Sequence, residues 1–308
     1  MRRAATWTAI AVAIVLLVVG CSSSGGGSGS TGTTVGGPAC PTDPVKVVVT
    51  VDQWADIVRQ LGGNCTRVTT IIQGADVDPH EYEPTPGDNA KFLDADLVVM
   101  NGLGYDEWAN KMVGTLSPKP PVVDAGEVVG LTEGDNPHVW YGPTYVPQVA
   151  AAVSAELAAL LPGAGGYLSD RTAAWTTAFQ PYLDEVAAVK AAATGKTYAA
   201  TESVFDDMAG AVGLVDLTPE GYRAAAANES DPAPADVNAF EELLRGGTVD
   251  VLIVNSQTAG SLPAQLRSVA EKAGVPVVEV TETVPPGETS FVAWQIDQLN
   301  ALRVALGG

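Results

Sequence analysis

The sequence predicts an α/β protein of two lobes, each a parallel sheet flanked by helices, joined by one long backbone helix. Short apolar runs alternate with helical patterns along most of the chain, which is typical of βαβ units and parallel sheets. One longer helical pattern separates two such groups. We therefore expect an N-terminal α/β lobe over 44–165, a linking helix over 166–194 and a C-terminal α/β lobe over 195–308.

The N-terminal lobe is predicted to hold four strands, each a short apolar run rich in the β-branched residues that favour strands. The runs are Lys46–Val51, Val68–Ile72, Leu97–Asn101 and Val122–Asp124. Helical spacing of apolar residues fills the segments between and after them. The predicted helices are Gln53–Leu61, Ala90–Leu93, Glu107–Leu116 and Tyr145–Leu161.

The linking helix is predicted from a single apolar stripe between Tyr167 and Ala193. Its apolar residues recur mostly at three- and four-residue spacing, the period of one helix face. They are Leu168, Trp175, Phe179, Tyr182, Val186 and Val189. A helix of this length spans about 40 Å at 1.5 Å per residue. Pro181 lies inside it and is expected to kink it.

The C-terminal lobe repeats the alternation of strand and helix. Its predicted strands are Lys196–Ala200, Leu214–Leu217, Val251–Asn255 and Val275–Val280. Its predicted helices are Ser203–Val212, Ala235–Arg245, Pro263–Ala273 and Ser290–Leu306. The same βαβ logic therefore predicts a second parallel sheet.

The first residues read as an export signal. Met1–Arg3 is positively charged, and the apolar run after it is shorter than a membrane span requires. Val18–Cys21 resembles the bacterial lipobox, so residues 1–21 are predicted to be a lipoprotein signal in which Cys21 is lipidated. The alternative is an ordinary signal peptide with an incidental Cys. Residues 22–43, mostly Ser, Gly and Thr at their start, are predicted to be a flexible tether.

The net charge of the chain excludes one class of partner. It is -20 at neutral pH, so no basic surface could neutralise phosphates and we expect no nucleic acid partner. An acidic surface raises the local concentration of cations, but it also serves the solubility of an exported protein.

Two cysteines remain after Cys21, and outside the cytoplasm such a pair predicts a disulfide. Cys40 precedes the first predicted strand and Cys65 precedes the second. If these strands are parallel neighbours, both cysteines lie at the N-terminal edge of the sheet. Two free thiols, or two ligands of a soft metal, are the alternatives. A strand of about six residues would separate them by roughly 20 Å from groups at the opposite edge.

The chain has only two histidines, and each lies in a short loop behind a proline. His80 lies in Asp78–Pro86 and His138 in Asn136–Pro143, each after a predicted strand of the first lobe. In open α/β sheets, ligands bind outside the carboxyl ends of the strands. Imidazole is a common neutral ligand of divalent transition metals. The two histidines are therefore candidate metal ligands, with a structural role in the loop backbone as the alternative.

Two carboxylates of the second lobe follow strands in the same way. Glu202 comes directly after the strand ending at Ala200, and Glu282 after the strand ending at Val280. Two carboxylates would neutralise a divalent cation, and two imidazoles would complete a set of two nitrogens and at least two oxygens. A site closed by four protein groups suits binding rather than hydrolysis, because no position is left for an activated water.

Alternatives exist for both carboxylates. Glu202 could act at the start of the next helix, where an acidic side chain is favoured. Glu279 and Glu288 compete with Glu282 for the fourth position. Four aromatic residues could line the cleft or belong to the ordinary core: Tyr82, Trp108, Trp140 and Tyr141.

Together, the Asp78–Pro86 motif, Pro137–His138, the mid-chain helix and the lipobox resemble the cluster A-I zinc/manganese solute-binding lipoproteins of metal ABC transporters. The resemblance covers nearly all of the chain after the signal. It implies that His80, His138, Glu202 and Glu282 hold the metal. Asn136 stands where the family usually has Asp, and Asn255 where relatives often have Glu.

The function this implies is capture of one divalent transition metal ion, Zn2+ or Mn2+, outside the cell membrane. The protein would be a monomer, anchored through Cys21 to the outer face of the cell membrane. It would deliver the metal to an ABC permease and would not be an enzyme. One alternative is a binding protein for a chelated or organic ligand such as a siderophore. A metallohydrolase is the other, although the sequence lacks a His-Glu-x-x-His helix and a third histidine.

Overall fold

The structure is a computed structural model that describes residues 37–75, 77, 79–80, 82–228, 230–258 and 260–308. The predicted signal, with Cys21 as its predicted lipidation site, lies outside these residues, as does most of the predicted tether. Over the rest of the chain, the two-lobed α/β architecture predicted from the sequence is confirmed.

The sheet of the N-terminal lobe has four parallel strands in the order β2-β1-β3-β4. The strands are β1 (Val45–Val51), β2 (Thr66–Ile72), β3 (Leu97–Met100) and β4 (Val122–Asp124). β3 and most of β1 are buried on both faces because helices cover the sheet on both sides. The helices are α1 (Asp52–Gly62), α2 (Pro86–Leu93), α3 (Glu107–Thr115), α4 (Ala125–Val129) and α5 (Val146–Leu160).

The linking helix, α6, extends over Gly165–Ala192 and continues through Pro181. Its buried residues include most of the predicted stripe: Leu168, Trp175, Phe179, Tyr182 and Val189. Within the described residues, no single helix is long and apolar enough to cross a membrane. The helical segments Val146–Leu160 and Pro162–Ala192 are long and apolar enough only when they are taken together, and the angle between them is 110°.

The C-terminal lobe has the same sheet topology, with four parallel strands in the order β6-β5-β7-β8. Its strands are β5 (Thr197–Ala200), β6 (Val215–Asp216), β7 (Val251–Asn255) and β8 (Val277–Val280). Its helices are α7 (Asp206–Val212), α8 (Glu220–Ala227), α9 (Pro234–Arg245), α10 (Leu262–Ala273) and α11 (Phe291–Ala305).

One hydrophobic core passes through both lobes, and α6 and α11 connect its two parts. Phe291 of α11 packs against Phe179 and Tyr182 of α6, and Arg303 bonds Glu185 at 2.7 Å. A smaller core lies on the other side of the second sheet, around Phe240. The shared core joins the two lobes through packed side chains as well as through the chain itself.

Two α-helices in the described part of the chain were not predicted. α4 has only five residues and ends at Gly130, whose φ of 77° is a left-handed conformation that suits glycine. α8 is rich in Ala and buries only Tyr222, so it has no apolar stripe by which the sequence would reveal it. The segment predicted as one helix after β5 starts with a 3-10 turn, Ser203–Phe205, before α7.

A disulfide joins Cys40 and Cys65, whose Cα atoms are 4.9 Å apart. Cys65 immediately precedes β2, and Cys40 lies shortly before β1, its neighbour in the sheet. Both cysteines therefore lie at the N-terminal edge of the sheet, at the opposite end of the strands from the candidate ligands.

Candidate metal centre

The four predicted ligands all line one cavity of about 570 Å³. His80 and His138 reach it from loops that follow β2 and β4, whereas Glu202 and Glu282 directly follow β5 and β8. The cavity therefore lies outside the carboxyl ends of both sheets, where α/β proteins bind ligands. Residues of α8 and α10 form much of its remaining wall.

His138 is held in one orientation by Asn136. The side-chain oxygen of Asn136 lies 2.6 Å from Nδ1 of the imidazole and accepts the backbone N–H of His138 at 3.1 Å. The amide group of Asn136 in turn donates to the Ser203 carbonyl at 2.9 Å, which fixes its oxygen on the histidine side. The proton of the neutral imidazole therefore lies on Nδ1, and Nε2 has a free lone pair for a metal.

Burial keeps this imidazole neutral. Burial, with the neighbouring His80 as the smaller cause, lowers the pKa of His138 to about 3. Its Nε2 lies 3.9 Å from Oε1 of Glu282, and because the ring is neutral this contact is not an ion pair. Tetrahedral ligands at about 2.1 Å from one ion lie about 3.4 Å apart. The observed separation is slightly longer, so the two groups would have to approach each other to share an ion.

His80 lies beside the same aromatic side chain as His138. Its ring packs edge-on against Tyr105, with ring centroids 4.8 Å apart, and Tyr105 is 6.2 Å from His138. The loop of His80 leads into α2, which starts with a reciprocal cap between Thr85 and Asp88. Asp88 also accepts the hydroxyl of Tyr82 at 2.7 Å, so the downstream end of the loop is well anchored.

Glu282 is anchored by residues of the N-terminal lobe, although it follows a strand of the C-terminal lobe. The hydroxyl of Tyr105 donates to its Oε1 at 2.8 Å, and the amide of Gln53 donates to its backbone carbonyl at 3.1 Å. Burial, with the Glu282 charge as the next cause, raises the pKa of Tyr105 well above its ordinary value, so the phenol stays protonated and donates. The donors of these two hydrogen bonds to Glu282 therefore lie in α1 and in the loop after β3.

The residues on either side of Glu282 are tied to the same lobe. The carbonyl of Thr281 accepts the Tyr141 hydroxyl at 2.7 Å, and the N–H of Val284 donates to Asp52 at 3.3 Å. Farther along, the N–H of Phe291 donates to Asp56 at 2.9 Å. The segment that carries Glu282 is thus bonded to the N-terminal lobe at several points, while the N–H groups of Thr281 and Thr283 donate to Gln298 and Gln257 of the C-terminal lobe.

Glu202 has its partners in the C-terminal lobe. Thr258 donates to its Oε1 at 2.5 Å and the amide of Asn255 donates to its Oε2 at 2.7 Å. The same amide reaches Oε2 of Glu282 at 3.4 Å. Asn255 therefore lies between the two carboxylates and donates to both.

The four side chains share a cavity without being drawn together around one point. Within the part of the chain that the structure describes, no three His, Cys, Asp or Glu side chains form a group that could hold a metal ion. Ligation by all four residues would require them to converge further on the ion.

The two carboxylates that compete with Glu282 have other roles. Glu279 is exposed and forms an ion pair with Arg267. Glu288 accepts the N–H groups of Thr289 and Ser290 just before α11. Of these three carboxylates, only Glu282 lines the cavity.

Among the aromatic residues considered for the cleft, Trp140 and Tyr141 are fully buried in the core, and Trp108 is nearly so. None of the four, Tyr82 included, is among the described residues that line the cavity, whereas Tyr222 is. Trp140 instead packs edge-on against His138 in the core, with the two ring centroids 5.3 Å apart.

Sequence reasoning missed the residues that orient the ligands, above all Tyr105, Gln53 and Thr258. The only signal for Tyr105 is its position in Asn101–Asp106, a glycine-rich loop that follows a buried strand. Gly102 and Gly104 both have positive φ there, which glycine adopts without strain. Nothing in the sequence marks Gln53 or Thr258.

Comparison with known proteins gives the family. Residues 47–305 match the model of the family described as zinc-uptake complex component A, periplasmic. The chain belongs to this family. The resemblance inferred from the sequence motifs is therefore confirmed.

Individual relatives agree with the family. The manganese-binding lipoprotein MntA of Halalkalibacterium halodurans is 33% identical over 117 residues, which are 36% of this chain and 36% of that protein. The match thus spans about a third of that relative. The metal ABC transporter substrate-binding lipoprotein FimA of Streptococcus parasanguinis is 26% identical over 83% of this chain and 88% of its own. The periplasmic zinc-binding protein TroA of Treponema pallidum superposes with a TM-score of 0.69 at 22% identity, over 85% of this chain and 99% of that one, which supports the fold.

Proposed function

We propose that this chain is the extracytoplasmic metal-capturing component of an ABC importer. It binds one divalent transition metal ion, Zn2+ or Mn2+, between His80, His138, Glu202 and Glu282. It then delivers the ion to a membrane permease. The metal is cargo that arrives and leaves, so the protein needs affinity and reversibility rather than turnover.

The observation that carries this proposal is the position of all four side chains on one cavity, outside the ends of both sheets. Their chemistry supports it. The imidazole of His138 is neutral and its Nε2 faces Oε1 of Glu282, and two carboxylates match the charge of a divalent ion. Family membership supports a metal over an organic ligand, and the names of the relatives refer to manganese and to metal transport.

The cellular context extends the same proposal. The lipobox at Val18–Cys21 would attach the mature chain to the outer face of the membrane through Cys21. Several relatives are named lipoproteins, and three of these are named as substrate-binding lipoproteins of metal or manganese ABC transporters. The protein would act there as a monomer beside its permease.

The test is metal titration of the mature protein. Wild type should bind about one Zn2+ or Mn2+ per chain, and the double variant His80→Ala/His138→Ala should lose this binding because half of the donor set is removed. Glu202→Gln and Glu282→Gln should each weaken binding strongly.

Glu279→Gln is the matched control, because Glu279 lies three residues from Glu282 but is exposed and paired with Arg267. It should bind metal like wild type. Unchanged binding in the double histidine variant would refute the site, and tight binding of an organic ligand by metal-free protein would refute the function.

A further inference from the structure

The loop that leads to His80 and the segment that carries Glu282 share one partner, the carboxylate of Asp52 at the start of α1. Its Oδ2 accepts the N–H of Gly74 at 2.7 Å, and its Oδ1 accepts the N–H of Val284 at 3.3 Å. Gly74 lies two residues after the end of β2, and Val284 lies two residues after Glu282. One side chain therefore bonds two backbone segments that carry proposed ligands and that follow strands of different sheets.

The bond to Gly74 holds the upstream end of the His80 loop. The φ of Gly74 is 71°, a left-handed conformation that glycine adopts without strain, so the chain turns here as it leaves β2. The downstream end of the loop is held by the reciprocal cap between Thr85 and Asp88. The position of His80 therefore depends on two anchors, and Asp52 supplies one of them.

The Asp52 carboxylate is partly buried, so it depends on these two donors in turn. Burial raises the pKa of Asp52, and the N–H groups of Gly74 and Val284 are the largest causes that oppose this rise. Each oxygen of the carboxylate accepts one of the two N–H groups. Because both oxygens are bonded to the same carbon, the carboxylate fixes the two segments relative to each other.

We propose that Asp52 is a positioning residue that sets the His80 loop against the Glu282 segment and thereby places two of the four proposed ligands for one ion. This inference rests on the proposed function, because it assumes that His80 and Glu282 bind the metal. Asp52 is not a proposed ligand and is not among the described residues that line the cavity. It acts through the backbone of the two segments, as the outer partners of metal ligands act through the ligands they hold.

Asp52 also has a simpler role, since an acidic side chain in the first turn of a helix stabilises that helix. Asp56, one turn farther along α1, separates the two roles. It is partly buried, burial raises its pKa, and it accepts an N–H of the chain after β8, that of Phe291 at 2.9 Å. Its other partner is the side chain of Gln60 in the same helix, at 2.7 Å. Within the described residues, Asp56 thus bonds the same part of the chain as Asp52 does, without a bond to the His80 loop.

The experiment compares wild type with Asp52→Asn, Asp52→Ala and the control Asp56→Asn. Asn at position 52 keeps one acceptor oxygen, and Ala keeps none. The affinity for Zn2+ is measured by competition with a chelator. 15N NMR follows the ring signals of His80 and His138, the only histidines of the chain, with and without Zn2+.

We expect Asp52→Asn to bind Zn2+ about tenfold more weakly than wild type, and Asp52→Ala more weakly still, because the His80 loop loses its upstream anchor. The ring signals of His80 should shift in both variants, also in the metal-free protein, whereas those of His138, which Asn136 holds, should stay. Asp56→Asn should bind Zn2+ like wild type and keep both sets of signals.

Three results would overturn the proposal. The first is wild-type affinity in both Asp52 variants, which would leave Asp52 only its role in the stability of α1. The second is an equal loss of affinity in Asp56→Asn, which would assign the effect to the contact between α1 and the chain after β8. The third is weaker binding with unchanged His80 signals, because the effect would then not reach this ligand.

Failure of the proposed function would look different. If wild type binds no Zn2+, the proposed function fails, whereas the metal-free His80 signals still show whether Asp52 holds the loop. Far-ultraviolet circular dichroism and thermal unfolding establish that each variant is folded before its affinity is read. Asp52→Asn, the smaller change, decides the test if Asp52→Ala does not fold.

Discussion

Replacing Asn136 by Ala should weaken metal binding although Asn136 is not itself a proposed ligand. In the structure its oxygen is 2.6 Å from Nδ1 of His138, a residue that is only 7% exposed. Without this acceptor the imidazole loses the bond that keeps its proton on Nδ1, and the tautomer with a proton on Nε2 cannot bind metal through that atom.

The magnitude follows from two costs. A buried N–H left without an acceptor costs about 1–3 kcal/mol. Loss of the outer partner of a metal-bound histidine typically lowers metal affinity by about 10–100-fold, or about 1.4–2.7 kcal/mol. We therefore expect Asn136→Ala to bind Zn2+ about 10–100-fold more weakly than wild type.

Asn136→Asp is the informative companion. Asp keeps an acceptor for His138 but cannot donate to the Ser203 carbonyl, which the Asn136 amide bonds at 2.9 Å. It should retain most of the zinc affinity and lose about 1 kcal/mol of unfolding free energy instead.

Competition titration with a fluorescent chelator measures affinity, and 15N NMR reads the tautomer directly, because the chain contains only two histidines. The reasoning is refuted if Asn136→Ala binds zinc as tightly as wild type, or if the His138 proton of the metal-free protein lies on Nε2.

Three further outcomes concern stability. Replacing both cysteines of the disulfide by Ser should lower the free energy of unfolding, measured in urea, by about 3.5 kcal/mol, because the bond closes a loop with a sequence separation of 25. The metal stoichiometry should stay the same. A loss of less than about 1 kcal/mol would contradict this prediction. Burial alone would raise the pKa of Asp88, but bonds from Thr85, Lys91 and Tyr82 outweigh it and hold that pKa well below the ordinary value of 3.8. Its contribution is therefore present above pH 3.8 and lost as pH falls below it, so unfolding free energy measured in urea should fall less steeply with acid in Asp88→Asn than in wild type. Tyr105→Phe should destabilise the metal-free protein by about 1.5–3 kcal/mol, because it removes a bond to the Glu282 carboxylate, and less when metal occupies that carboxylate. Tyr182→Phe is its control, since the buried Tyr182 hydroxyl has no hydrogen-bond partner among the described residues, and equal effects of the two changes would count against the role of Tyr105.

Strands were the easiest part of the fold to predict from the sequence. β4 and β7 have the predicted bounds, and the other strands agree to within two residues at each end. The reason is physical: strands buried on both faces are continuous apolar runs, which composition reveals directly. Helix α8 escaped prediction because it contributes little to the core, so its sequence carries no apolar period.

The candidate ligands could be predicted for a similar reason, since each follows a strand and parallel strands end at one edge of a sheet. Their partners could not. Tyr105 and Glu282 are 177 positions apart, and only the docking of one lobe on the other brings them together. Asn136 and Asn255 were visible in the sequence as departures from the family pattern, but their bonds to His138 and to the two glutamates depend on the folded geometry.

The Glu282 segment is bonded to both lobes beside the proposed site. Its partners in the N-terminal lobe are Gln53, Tyr105 and Tyr141, and its partners in the C-terminal lobe are Asn255, Gln257 and Gln298. The segment is therefore a joint between the lobes, and one of the four proposed ligands lies on that joint. Any rotation of one lobe against the other would strain hydrogen bonds on one side of Glu282 and shift its carboxylate relative to the two histidines. The angle between the lobes would then set the geometry of the donor set, and with it the affinity for the ion.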